Sequence, residues 1–387
     1  YALHQSFLQT YGPGDYPIRL FFAPGRVNLI GEHTDYNGGH VLPCALSNGT
    51  YMAIRQRDDE KISLYSENFS AIGIKQETLQ STYVKSQDWT DYVKAVLHVL
   101  SARGYMPNFG FDVYVYGNIP NGAGLSSSAS LELVTLTAMK GLFGFEISPI
   151  ESVKIARAAE NEFIGVNCGI MDQFIIGLGK EGNAVLLDTE TLQYEYAPVE
   201  LTEYTLVIAN TNKRRGLADS KYNERFSQCQ LALSRIQSIA PEVTSLGALN
   251  EQSFEAFIDV IEDPVLVKRA RHAVLENQRT LEAHRVLQAG ELETFGKLMN
   301  ASHLSLKEDY EVTGIELDTL VELSQNFPGV LGARMTGAGF GGCTVALVKS
   351  TEVDGFIASV GESYKREIGY AADFYVVTIG DGARELV

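Results

Sequence analysis

Cysteine is scarce in this 387-residue chain: Cys44, Cys168, Cys229 and Cys343 stand far apart and are the only four. Four thiols cannot build a disulfide scaffold for so long a chain, and their spacing fits no zinc knuckle. They read as reduced thiols of a cytoplasmic protein. Long apolar runs are missing as well. No stretch approaches the roughly 18 consecutive apolar residues of a membrane span, and no basic-then-apolar leader opens the chain, so neither a membrane partner nor export is expected. The first residue is Tyr1 rather than Met, so a few leading residues are expected to precede it. Positive charge is the third shortage. Lys and Arg number 31 against 48 Asp and Glu, a net charge of −17, and nucleic acid is therefore not expected as a partner. An anionic substrate has to be held by a local positive site and a metal ion rather than by the overall field.

Apolar residues make up 45% of the chain and charged residues 20%, and the length is comfortable for two domains with sizeable cores. Arg19 to Ala23, Tyr51 to Arg57, Lys61 to Ser66 and Phe111 to Tyr116 read as strands, the second and third as neighbours. Asp91 to Ala102 and Ser148 to Phe163 carry apolar residues at helical spacing, and Ala184 to Asp188 with Gln193 to Tyr196 forms a late hairpin. From Tyr204 the texture changes. A strand to Ala209 is followed by helical patterns over Leu217 to Ala240, Pro264 to Gln288, Glu291 to Asp309 and Ile315 to Asn326. Strands at Val330 to Met335 and Cys343 to Val348 flank a glycine turn, and a helix over Val353 to Ile368 and a strand over Asp373 to Ile379 close the chain. This mixture predicts an α+β fold in two domains, 1–198 and 199–387, with no repeat and no low-complexity linker.

The most informative stretch is Gly117 to Lys140, GNIPNGAGLSSSASLELVTLTAMK. A turn of small residues runs into Ser126, Ser127 and Ser128 ahead of a helical pattern. Glycines let backbone amides approach a ligand, and the unpaired first-turn amides and positive dipole end of a helix favour an anion, so a polyphosphate is the natural guest. Serine hydroxyls add donors to phosphate or a ligand to hydrated magnesium. A lone Gly-x-Gly is more often part of an ordinary capped helix, but three consecutive serines argue for a phosphate loop. The lysine of the P-loop and the third glycine of the dinucleotide fingerprint are both lacking, which leaves a phosphate loop of another type.

A second stretch, Ala23 to Pro43, places Arg26, Asn28, Glu32, His33, Asp35, Tyr36 and Asn37 within about a dozen residues, a polar density that no buried strand or amphipathic helix is expected to carry. Interspersed Val27, Leu29 and Ile30 and the turn glycines point instead to a folded loop with defined side-chain directions. Carboxylates, an imidazole and amides converging on one site suit a polyhydroxylated ligand, whose hydroxyls need both donors and acceptors.

The segment APGRVNLIGEHTDYNGG within that stretch resembles the galactokinase signature. PNGAGLSSSAS resembles the second motif of the wider GHMP kinase superfamily, MTGAGFGGC at Met335 to Cys343 resembles its third, and AENEFIGVNCGIMDQF at Ala159 to Phe174 is also similar to galactokinases. The four blocks follow the family's order and span most of the chain. The resemblance implies an N-terminal domain of the ribosomal-protein-S5 type, a ferredoxin-like C-terminal domain and an active site in the cleft between them. It further implies a monomer that uses ATP to phosphorylate the anomeric hydroxyl of α-D-galactose, giving galactose 1-phosphate and ADP, with Mg2+ as cofactor.

Carried over by position, Asp172 matches the family's catalytic aspartate, which accepts the proton of the C1 hydroxyl or positions that hydroxyl. Arg26 matches the arginine that neutralises charge on the transferring phosphoryl group and orients the aspartate. Glu160 and Ser128 match the magnesium ligands. Glu162 lies two positions away, and the family spacing selects Glu160. Glu32, His33, Asp35, Gly169 and Tyr222, with Asp172, match galactose-binding positions. Gly122, Ala123, Gly124, Leu125, Ser126, Ser127 and Ser128 match the ATP loop, with Trp89 and Tyr92 near the base. Two other readings stand beside the kinase. A galactose- and ATP-binding transcriptional sensor resembles the family but is disrupted in the serine motif, which is intact here. A kinase for N-acetylgalactosamine needs room for the acetamido group at C2.

Overall fold

Aromatic and β-branched residues in alternation, as in FDVYVYG at Phe111–Gly117, favour a pleated strand. Six strands pair into the first sheet of the computed structural model, which describes residues 2–387 apart from Asn121, Gly122, Arg215 and Leu217. Their order is Arg384–Leu386, Arg19–Asn28, Pro43–Gln56, Phe111–Gly117, Lys61–Ser66 and Lys75–Thr78. Only the pairing of Lys61–Ser66 with Phe111–Gly117 is parallel, and the helix Thr90–Ala102 lies in the connection between them. That helix, with Ser127–Phe143, Pro149–Ala158 and Met171–Leu178, shares a core with Met52, Ile54, Val113 and Val115 of the sheet.

A second, antiparallel sheet has the order Val330–Thr336, Cys343–Lys349, Tyr204–Asn210, Asp373–Val376. Val207, Ala346 and Val348 on it pack against Leu320, Phe356 and Tyr364 of the helices Ile315–Gln325 and Val353–Ile368. Another core cluster joins the two halves, bringing Val27, Leu29 and Leu42 together with Ile208, Val286, Met299 and Val345. Apolar burial across the seam fixes the two halves against each other and so gives the cleft between them defined walls.

The expected α+β character holds, while several local expectations do not. Tyr51 to Arg57 and Lys61 to Ser66 are not neighbours, because Phe111–Gly117 inserts between them. Ala23 to Asn28 is buried strand rather than loop. Its polar groups are tolerated there because each is partnered: the Asn28 amide donates to Gly31 O, and the Asn28 carbonyl accepts from Arg334. The helices Ala2–Tyr11 and Met171–Leu178 and the strand Arg384–Leu386 are additions. After Val376 the chain turns back, Gly380 N–H donates to Ala45 O, and the last strand pairs with Arg19–Asn28.

Candidate active site

The strand Arg19–Asn28 changes register between Pro24 and Arg26 and delivers Arg26 into the cleft. Its guanidinium donates from Nε to Asp172 Oδ1 at 2.8 Å, from Nη2 to Asp172 Oδ2 at 3.4 Å and from Nη1 to Gly124 O at 2.9 Å. Its backbone N–H donates to Leu125 O. One arginine, only 4% exposed, therefore ties the glycine loop to Asp172. Burial opposes its charge, but Asp172, Glu32 and Asp35 outweigh that penalty and keep it cationic. Asp172 stands in the first turn of Met171–Leu178, where the helix dipole favours a carboxylate.

The glycine loop enters its helix at Ser127. Gly124 has φ 77°, and Ser126 at the N-cap has φ 64°, a left-handed conformation that a serine adopts at some cost. The Ser126 side chain does not cap the helix, so its oxygen does not compete there with an anion for the first-turn amides. Gly122 lies outside the described residues.

Two cavities meet at this loop. One, of about 310 Å³, is lined by Trp89, Tyr92, Phe69, Val115, Ile119 and Leu131 together with Ser66, Asn68, Ser127 and Ser128. Aromatic and aliphatic walls with a few polar groups suit a planar base. The other, of about 210 Å³, is lined by Arg26, Glu32, His33, Asp35, Gly169, Asp172 and Tyr222 and by Gly337 and Ala338 of the C-terminal glycine turn. Its wall of carboxylates and aromatic polar groups suits a ligand with many hydroxyls. Tyr92 and Ser128 line both.

The polar cavity is held from behind by the second half of the chain. Glu32, 1% exposed, accepts the Gly337 N–H at 2.8 Å, and Arg334 Nη2 lies 3.3 Å from the same oxygen. Asp35 accepts the Met171 N–H. Burial, then the charge of Asp172, push the Asp35 carboxyl up to about 6. The backbone of Gly169 lies directly against that carboxylate. His33 has both ring nitrogens committed, to Tyr36 OH at 2.7 Å and Ala338 O at 2.8 Å, which leaves neither free for a ligand. The Tyr222 ring, on the helix Ala218–Gln237, stands 5.4 Å from that of His33 and closes the opposite wall.

Glu160 lies in a π-helical turn, Ala159–Ile164, that follows Pro149–Ala158. Burial raises its carboxyl to about 6, against a hydrogen bond from Ser128. Glu162 is exposed on the other side of that turn. Among the described residues no group of three or more His, Cys, Asp or Glu is arranged to hold a metal by itself.

The described residues matched to sugar, metal and catalytic roles, with Trp89, Tyr92, Ser127 and Ser128, border one of the cavities, and Gly124 and Leu125 anchor the loop between them through Arg26. Ala123 and Ser126 lie in that loop without lining either cavity, and Asn28, Tyr36 and Asn37 of the signature stretch line neither, their side chains being bound to Gly31, His33 and Tyr310 instead. Ser66, Asn68 and Phe69 were not foreseen. Asn68 clamps Gly117 through both its N–H and its C=O, a long-range contact that no local pattern signals.

Residues 5–56 match the family model described as the galactokinase galactose-binding signature, 91–180 match the GHMP kinases N terminal domain, and 283–366 match the GHMP kinases C terminal. The chain is 56% identical to a galactokinase of Enterococcus faecalis over 99% of both chains. It is 55% identical to one of Clostridium acetobutylicum over 95% of this chain and 94% of that one. A crystal structure of Lactococcus lactis galactokinase complexed with galactose superposes with a TM-score of 0.97 at 49% identity, covering 100% of this chain and 99% of that one. Methanococcus jannaschii mevalonate kinase, at 20% identity and a TM-score of 0.63 over 95% of this chain and 99% of that one, shares the fold.

Proposed function

The chain belongs to the galactokinase family of the GHMP kinases, and on that premise we propose that its two cavities hold ATP and galactose side by side. The γ-phosphoryl group passes from ATP to the C1 hydroxyl of α-D-galactose, giving galactose 1-phosphate and ADP. The observation that carries this reading is the shared lining: Ser128 and Tyr92 belong to both cavities, and the Arg26–Asp172 pair faces the junction.

In this reading the base lies against Trp89 and Tyr92, and the phosphates lie on the loop from Gly122 through Ala123, Gly124, Leu125, Ser126 and Ser127 to Ser128, at the helix N-terminus. Glu32, Asp35, Gly169 and Tyr222 form the sugar site. Asp172 takes the C1 proton as the oxygen attacks phosphorus, and Arg26 both holds the carboxylate in line and offsets negative charge on the transferring group. His33 serves as wall, since its nitrogens are taken.

Ser128 and Glu160 would supply two oxygen donors beside the phosphate loop, a set that fits magnesium, a hard ion that takes few protein ligands. When bound, the ion neutralises charge on the β- and γ-phosphates. The domain division at 198/199 falls between the strands Tyr194–Pro198 and Tyr204–Asn210. Among the described residues none of Cys44, Cys168, Cys229 and Cys343 is joined to another in a disulfide, which fits a reducing cytoplasm.

ADP release in a coupled assay over a panel of hexoses tests the proposal. ADP release that depends on galactose, with the product phosphate on C1, is expected. Tight galactose and ATP binding without ADP release would favour the sensor, and faster turnover of N-acetylgalactosamine would move the substrate to that sugar.

A further inference from the structure

Behind the sugar cavity lies a row of polar atoms that the proposed chemistry does not use. It runs from Cys229 Sγ to Tyr310 OH at 3.1 Å, from Tyr310 OH to Tyr36 OH, from Tyr36 OH to His33 Nδ1 at 2.7 Å, and from His33 Nε2 to Ala338 O at 2.8 Å. We infer that Tyr36 is a positioning residue of the sugar pocket: its hydroxyl donates to Nδ1 of His33 and holds the ring where its other nitrogen grips the Ala338 carbonyl of the C-terminal glycine turn at the cavity wall. The inference rests on the reading of that cavity as the galactose site.

Proton counting sets the direction of every bond. A carbonyl oxygen only accepts, so Nε2 of His33 carries a proton. His33 is buried among Tyr36, Tyr222 and Tyr310, and burial drives its imidazole far towards the neutral form. A neutral ring with Nε2 protonated has a bare Nδ1, and the Tyr36 hydroxyl must donate to it. That uses the only proton Tyr36 has. The short contact between the two tyrosine oxygens therefore takes its proton from Tyr310, and the Cys229 thiol supplies the one on Tyr310. Each contact then holds one proton. Reversing any bond would leave two lone pairs facing each other elsewhere in the row.

The backbone adds a second observation. His33 has φ 59°, a left-handed conformation that a histidine keeps only where its surroundings over-determine it. Both ring nitrogens are pinned, and the Asn37 amide donates to the His33 carbonyl. His33 and Ala338 line the cavity, but Tyr36 does not, so Tyr36 acts through His33. The row also couples the signature loop to the helix Ala218–Gln237, which carries both Cys229 and Tyr222.

The test begins with the unaltered protein labelled with 15N-histidine, the His33 signals being assigned by their loss in His33→Gln. A neutral ring protonated on Nε2 at pH 7 is expected; an Nδ1–H tautomer or an imidazolium overturns the inference. In Tyr36→Phe, His33 should keep the Nε2–H tautomer that the Ala338 carbonyl demands but lose the hydrogen-bonded shift of Nδ1, and the galactose KM should rise roughly tenfold, while kcat and the ATP KM stay within about twofold. A galactose KM within about twofold of the parent, or equal losses for both substrates, overturns it as well. If Tyr36→Phe does not fold, Tyr310→Phe decides: the hydrogen-bonded shift of Nδ1 should persist, because Tyr36 still donates, and its loss counts against the inference. Absence of galactose turnover in the unaltered protein would sink the functional reading instead, and the tautomer measurement keeps the two failures apart.

Discussion

A methyl group on Gly169 would stand 2.1 Å from Oδ2 of Asp35 and 2.2 Å from its Cγ, closer than any real contact of such atoms. Glycine is thus required at 169 for space: the block around Asp172 and the signature loop touch there through a bare backbone. Gly169→Ala must displace the Asp35 carboxylate or the chain beside it. The expected result is a galactose KM raised at least tenfold, about 1.4 kcal/mol or more, with the ATP KM close to the parent value. Saturation kinetics in each substrate checks this. Equal effects on both substrates would mean that the substitution disturbs the whole cleft.

Asp172 and Arg26 form the pair that faces the shared end of the cavities. Asp172→Asn keeps shape and removes the carboxylate base, so kcat should fall by about 10²- to 10⁴-fold while the protein stays folded. Arg26→Ala has a different signature. It leaves Gly124 O without its donor and the part-exposed Asp172 without its partner, so it should cost about 1 to 3 kcal/mol of stability as well as activity. Thermal unfolding alongside single-turnover rates separates the two. Turnover of Asp172→Asn within about tenfold of the parent would remove Asp172 from its role.

Much of the site was legible because phosphate loops and sugar signatures are local in sequence. The serine run at 126–128 feeds a helix as read, and Glu32, Asp35 and Arg26 lie in the cleft. What escaped was set by long-range partners. The strand at Ala23 to Asn28 is rich in polar groups, and partners such as Asp172 and Arg334, more than a hundred residues away, help to satisfy them when buried. Phe111–Gly117 inserts between two strands close in sequence because a parallel pairing needs a crossover, which short-range alternation cannot reveal. The helix Met171–Leu178 spans only eight residues, too few for a clear period.

Glu160 and Glu162 offer an internal control for the metal. Glu160 is 6% exposed and shares a hydrogen bond with Ser128, while Glu162 points to solvent. Glu160→Gln should raise the magnesium concentration for half-maximal rate, roughly tenfold or more for a lost direct ligand. Glu162→Gln should leave it unchanged. A magnesium titration at saturating ATP and galactose provides the comparison. The same shift in both variants, or in neither, would take the ion away from Glu160.

Burial, and then the charge of Asp172, raise the Asp35 carboxyl to about 6, with the Met171 N–H pulling the other way. Between about pH 4 and 6 the folded protein keeps a proton that the unfolded chain has released, so ionising Asp35 in place costs stability as pH rises through that window. For the ligand the order is reversed. A carboxylate accepts sugar hydroxyls with both oxygens, and the protonated acid loses part of that capacity, so galactose affinity should fall as pH drops below about 6. Asp35→Asn should bind galactose roughly ten- to a hundredfold more weakly at pH 7.5, from the loss of about 1 to 3 kcal/mol of hydrogen bonding, and its affinity should no longer change between pH 5 and 7.5. Calorimetric titration of galactose without nucleotide reads both effects, and titration of ATP into the same variant should show near-parental affinity. If the parent protein binds galactose equally well across that range, or if Asp35→Asn keeps the same pH dependence, the titrating group is not Asp35. If ATP affinity collapsed while galactose affinity held, the signature loop would belong to the nucleotide and the two cavities would exchange ligands.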